Sequence, residues 1–165
     1  MKDAVAIAYA RAYGDFEGIL AKYRISTSDE DRVRLLVALM SLEDPSLVAL
    51  SLGLGLGGEV KRQDVRNMIS AAGESSLRSP LSGVVNPRAR GVAWIWLKTN
   101  IEKLRKLYEG TGALSGDLLR VIPIIGIGRV KEVDKFFQEN AITEAESGIK
   151  AGLEKLKVYD RLASS

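Results

Sequence analysis

Apolar positions recur along this chain at steps of three and four, and no stretch alternates at a period of two, so helices are predicted throughout. The strongest such pattern runs from Asn86 to Gly110. Ala93, Trp94, Leu97, Ile101, Leu104 and Tyr108 form one stripe, and Val92, Ile95 and Trp96 widen it near its start. Asn86 and Pro87 supply a helix-start signal and Gly110 a stop. A helix apolar on more than one side needs cover on more than one side. It is therefore expected to lie centrally, with Trp94, Leu97, Ile101 and Leu104 as its core residues. A surface pair, Glu102 with Lys106, is expected at i,i+4.

Earlier elements follow the same logic. Asp3–Tyr13 reads as a helix stopped by Gly14, and Asp15–Arg24 as a second with Phe16, Ile19, Leu20 and Tyr23 on one face. Ser28 followed by Asp29, Glu30 and Asp31 opens a third, whose apolar residues from Val33 to Met40 fill most of its circumference and predict burial. Asp44-Pro45 opens Ser46–Leu52, ended by glycines, and Gln63-Asp64 leads into Val65–Ala72 with Gly73 as stop. Residues 74–85 are expected to form a short helical turn and loop.

After the long helix, Ser115–Ile125 is expected to be helical, distorted or ended by Pro123. Arg129–Gln138 carries Val130, Val133, Phe136 and Phe137 on one face. Thr143-Glu144-Ala145-Glu146 reads as a capping box opening a last helix with a stripe of Ala145, Ile149, Leu153, Leu156, Tyr159 and Ala163. The expected fold is all-α, with eight to ten antiparallel helices. Such hairpins suggest an α-solenoid of the HEAT or armadillo kind. No motif recurs at a fixed period, so periodicity alone leaves a degenerate stack and an irregular bundle equally open.

Composition narrows the chemistry. With 165 residues, 46% of them hydrophobic and 27% charged, one globular domain spanning 1–165 is expected. There is no cysteine and no histidine, which removes disulfides, thiolate or histidine metal sites, and every Ser-His or Cys-His arrangement. Lack of cysteine suits a reducing compartment, and a cytoplasmic location is expected. A net charge of +3 is spread as interspersed signs, so no nucleic-acid partner is predicted. The longest uncharged stretch, Pro45–Gly58, has 14 residues, below the roughly 18 of a spanning helix, so no membrane partner is predicted either.

Within that stretch Gly53-Leu-Gly55-Leu-Gly57-Gly58 satisfies G-x-G-x-x-G. A dinucleotide site needs a strand before the glycines and a βαβ unit around them, so the pattern reads as a loop and helix cap. Trp94 and Trp96 read as core aromatics. Asp29, Glu30 and Asp31, and Glu144 with Glu146, sit in first helical turns where carboxylates favour the helix dipole. Arg88, Arg90 and Arg120 are the candidate carboxylate binders, because guanidinium groups form bidentate pairs.

The stretch Asn86-Pro87-Arg88-Ala89-Arg90-Gly91-Val92-Ala93-Trp94, continued by Leu97-Lys98-Thr99-Asn100, resembles the N-P-x-x-R-x-x-A-W-x-x-x-K-x-N signature of one family. It belongs to the C-terminal helical domain of the gluzincin zinc aminopeptidases, which include aminopeptidase N, the endoplasmic-reticulum aminopeptidases and the archaeal tricorn-interacting factors. Ala12-Tyr13-Gly14, Leu20–Arg24, Arg34–Leu39, Gln63-Asp64-Val65, Glu132–Phe137 and Ala151–Leu156 are similar to further pieces of that domain, in the same order.

The resemblance implies a non-catalytic domain that closes a substrate chamber and contacts the distal part of peptide substrates. It implies as partners the catalytic domain of the same enzyme, peptides and a larger protease complex. The family's zinc is held by an H-E-x-x-H helix and its substrate amine by a G-A-M-E-N loop. Neither motif occurs here, so no catalytic residue and no cofactor are expected in this chain, and zinc belongs to the catalytic domain of the parent enzyme. A reading from another class is a free-standing helical scaffold that binds a protein partner through a concave face.

Overall fold

A computed structural model describes residues 2–74 and 87–164, and side chains within 5–72 and 90–164. Among the described residues the protein is all-α: α1 Lys2–Tyr13, α2 Phe16–Ile25, α3 Asp29–Met40, α4 Pro45–Leu54, α5 Arg62–Glu74, α6 Pro87–Tyr108, α7 Ala113–Ile125, α8 Val130–Glu139 and α9 Glu146–Ala163, with a 3₁₀ turn at Thr143–Ala145. The chain divides into two compact units, Met1–Ala93 and Trp94–Ser165.

In the first unit α3 is the hub, packing on α1, α2, α4 and α5. Its nearly all-round apolar sequence calls for this, and Leu36, Leu39 and Met40 are fully buried. Three helices of this unit, α2, α3 and α4, are capped at their starts by the preceding side chain. Ser28 accepts from the Asp31 N–H at 3.3 Å, Asp44 from the Ser46 N–H at 2.8 Å, and Asp15 from the Gly18 N–H at 2.9 Å. The segment between α4 and α5 is tied back to α2 and α3. Arg24 pairs with Glu59 at 2.6 Å, the Tyr23 hydroxyl donates to the Glu59 carbonyl at 3.0 Å, and Lys61 reaches Asp29 at 2.6 Å.

In the second unit α7 packs on α9, and α8 packs on α9 as well. The α7–α9 contacts have a constant sense. Gly148 N–H donates to the Ser115 hydroxyl at 3.0 Å, Gly152 faces Leu118 and Ile122, Gly126 faces Leu156, and Gly128 N–H donates to Asp160 at 2.6 Å. Residue numbers rise together on both helices, so α7 and α9 run parallel. Their partners are offset by 33 residues at Ser115/Gly148 and 32 at Gly128/Asp160. In both units alternate helices touch: α1 with α3, α3 with α5, and α7 with α9. This pattern of contacts between alternate helices is one that no sequence period revealed.

Several local expectations are corrected. α5 runs one residue past Gly73 to Glu74. The rest of the expected 74–85 turn, and the Asn86 cap, lie outside the described residues. Pro123 neither ends nor interrupts α7. It removes a single N–H, and the helix closes beyond it through the Gly126 N–H to the Ile122 carbonyl at 3.0 Å. The capping box does not form: Thr143 enters the 3₁₀ turn, α9 begins at Glu146, and its cap position is Ala145, with no side-chain bond. The last helix also exposes Tyr159 by 42%, although Ile149 and Leu156 on the same stripe are buried. Gly110 and Gly112 both take positive φ, 73° and 65°, which turns the chain from α6 into α7 within a few residues.

Candidate functional site

The three candidate arginines have different surroundings. Arg90, on α6 in the first unit, is 9% exposed, so its guanidinium is largely withdrawn from solvent. Arg120, on α7 in the second unit, is exposed. The Arg88 side chain lies outside the described residues. Trp94, Leu97, Ile101 and Leu104 on α6 are buried, at 1%, 1%, 5% and 2% exposure, whereas Ile95 is 60% exposed.

Two of the stretches that carry the sequence signature meet in the second unit. The Trp94 indole N–H donates to the Glu132 carboxylate at 2.7 Å, and the Lys98 ammonium donates to the same oxygen at 2.6 Å. Lys98 also lies 5.1 Å from the centre of the Trp94 ring, and Phe136 meets that ring edge-on at 5.4 Å. Lys98 first, and then Trp94, hold the Glu132 carboxyl below the usual glutamate range. This cluster fastens α6 to α8. It contains no nucleophile paired with a base.

A second tie involves Arg105. Its guanidinium grips Glu144 at 2.6 and 3.3 Å and Glu102 at 3.0 Å, and these two carboxylates raise its pKa, Glu144 contributing most. The acid expected to pair with Lys106 therefore goes to Arg105. Glu144, expected in a capping box, instead links the 3₁₀ turn to α6.

Between α8, residues 141–143 and α9 lies an open cleft of about 470 Å³. Phe137, Ile149 and Leu153 line it with apolar surface, and its charged lining is mixed: Asp134, Glu146 and Glu154 with Lys150 and Lys157. Periodicity assigned the three apolar residues to core stripes and gave no sign that a cleft would open between the helices carrying them. Such a site can hold an apolar side chain next to a charged group; it offers binding, not bond cleavage.

The donor set does not fit a zinc site. The sequence has neither histidine nor cysteine, and among the described residues no three carboxylates cluster around a common point. No described helix is long and apolar enough to cross a membrane. The G-x-G-x-x-G glycines fall in the end of α4 and the turns after it, and the described residues contain no strand to precede them.

Residues 3–158 match the ERAP1-like C-terminal domain. The chain is 39% identical over 163 residues to a leucyl aminopeptidase of Saccharolobus solfataricus, covering 98% of this chain and 19% of that protein. It is 41% identical over 164 residues to probable aminopeptidase 2 of Sulfurisphaera tokodaii, covering 98% and 20%. A more distant relative is the tricorn protease-interacting factor F2 of Thermoplasma acidophilum, 29% identical over 96% of this chain and 19% of that protein. The chain thus spans about a fifth of the length of the curated relatives it matches.

Proposed function

This chain belongs to the ERAP1-like C-terminal domain family, and from that premise we propose that it is the non-catalytic helical part of a zinc-dependent aminopeptidase. In this reading it closes the substrate chamber over a catalytic domain and contacts the distal part of the peptide. The observation that carries the reading is the match over nearly the whole chain to a fifth of several aminopeptidases, by a sequence that has no histidine. Peptide contact falls to fixed positive charge beside apolar surface. Arg90, Arg88 and Arg120 are the candidates for a peptide carboxylate, joined by Lys150 and Lys157 at the cleft, where Asp134, Glu146 and Glu154 also stand. The larger protease assembly named for the Thermoplasma relative is a proposed partner in the same sense.

The test replaces the matching fifth of the Saccharolobus leucyl aminopeptidase with this chain. The isolated chain should release no amino acid from peptide amides with or without added zinc, and the chimera should do so. Replacing Lys150 and Lys157 with glutamate should raise KM for peptide acids while leaving that for C-terminal peptide amides nearly unchanged. Turnover by the isolated chain, or an inactive chimera that nevertheless folds, would overturn the reading.

A further inference from the structure

The cleft beside α9 is lined by charge of both signs. Glu146, Lys150, Glu154 and Lys157 alternate in sign along α9, and Asp134 stands on α8. Opposite charges three and four residues apart on a helix commonly pair, as Lys135 does with Glu139 at 3.6 Å. These do not. None of the five side chains makes a hydrogen bond or an ion pair among the described residues. Their charges are open to whatever enters the cleft.

The lining selects a ligand with matching features. An anion would meet three carboxylates as well as two ammonium groups, and an uncharged ligand would gain nothing from any of them. A zwitterion with an apolar side chain uses both signs and the surface of Phe137, Ile149 and Leu153 together. The volume of about 470 Å³ falls within the roughly 300–1,000 Å³ of small-ligand sites.

Spacing decides among zwitterions. Lys150 and Glu154 are four residues apart, a rise of about 6 Å along the helix. The charged ends of a free amino acid are about 2.5 Å apart, those of an extended dipeptide about 6 Å, and each further residue adds about 3.5 Å. A dipeptide matches the helical step.

We propose that the cleft between α8 and α9 binds a dipeptide with apolar side chains. Its carboxylate lies toward Lys150, its ammonium toward Glu154 and Asp134, and a side chain rests against Phe137, Ile149 and Leu153. The binding needs this chain alone; only its role rests on the aminopeptidase reading. An enzyme that removes residues singly from the amino end reaches a dipeptide as the last peptide of the series, so that reaction supplies the ligand.

The test titrates leucyl-leucine into the full 165-residue chain and follows amide chemical shifts. Saturable shifts are expected at the residues lining the cleft. Acetylating the amino end and amidating the carboxyl end should each weaken binding about threefold, the scale of an exposed charge contact. Glycyl-glycine, without the apolar groups, and free leucine, with its charges too close, should bind at least threefold more weakly than leucyl-leucine. Lys150 and Glu154 are exposed, so Lys150→Glu and Glu154→Lys should fold and should each weaken binding at least about fivefold. The double variant puts one charge of each sign back, one step apart and in reverse order. Leucyl-leucine, nearly symmetric end to end, should turn round and recover its affinity there.

Equal affinity for leucyl-leucine and its doubly blocked form, or no saturable shift in the cleft, would overturn the proposal. Loss on amidation with acetylation tolerated would assign the cleft to the carboxyl end of longer peptides and overturn it as well. Undiminished dipeptide binding beside a folded but inactive chimera would sink the aminopeptidase reading and leave this one standing.

Discussion

The indole N–H of Trp94 and the carboxylate of Glu132 are 2.7 Å apart, joining α6 to α8 across 38 residues of sequence. Trp94 is thus both a buried aromatic and a hydrogen-bond donor, and the two roles separate by mutation. Trp94→Ala should cost roughly 3–5 kcal/mol in urea unfolding, as for a large core aromatic. Trp94→Phe should cost clearly less, because Lys98 still satisfies Glu132. A phenylalanine variant as unstable as the alanine variant would put the main effect in the hydrogen bond.

The contact of α9 with α7 at Gly148 should tolerate little added volume. A Cβ on Gly148 would collide with the backbone carbonyl of Ser115, and backbone cannot swing aside. Gly148→Ala should therefore destabilise by about 1–3 kcal/mol. Gly116, within α7, has open space where a Cβ would go, so Gly116→Ala should stabilise by about 0.5–1 kcal/mol through helix propensity. Denaturant midpoints of the two variants should move in opposite directions.

Acid should loosen the α6–α8 seam. Glu132 is held below its ordinary pKa by Lys98, Trp94 and Arg129, so its contribution is complete above about pH 4.3 and is lost as pH falls through the depressed value. The melting temperature of Glu132→Gln should lie below that of the parent at pH 7, with the gap closing toward pH 3.

Asp64 should show the opposite sign. It is 7% exposed, and burial raises its carboxyl pKa, with nearby Asp29 adding to the rise and Lys61 and Arg66 opposing it. Its favourable contribution is present below about pH 3.9 and is lost as pH rises through the raised value. Asp64→Asn should gain melting temperature at pH 7 and lose that gain toward pH 3.

Apolar periodicity and cap chemistry located the helices, because Ser28, Asp44 and Pro87 act on their own neighbours. What escaped the sequence depends on partners distant in the chain. Glu102 has both Lys106 and Arg105 within reach of one turn, and the choice is made by Glu144, 39 residues from Arg105, which fixes the guanidinium. The Thr143 capping box fails for a related reason: the 3₁₀ turn that starts α9 at Glu146 also delivers Glu144 to α6. The cleft is harder still to foresee, since Phe137, Ile149 and Leu153 have the spacing of ordinary core residues whether or not two helices part above them. Gly148 and Gly152 look like weak points in a helix until α7 is laid against them.

The parallel register of α7 and α9 has a consequence for how this unit is made. The side-chain hydrogen bonds that tie α7 and the turn after it to α9 join residues 32 or 33 apart, so this pair of helices docks by closing loops of nearly one length. The entropic cost of closing a flexible loop rises only as about (3/2)RT ln n, and local topologies of this kind fold quickly. On a chain leaving the ribosome, α9 therefore finds α7 waiting as soon as its own turns have emerged, and needs nothing synthesised later to begin docking.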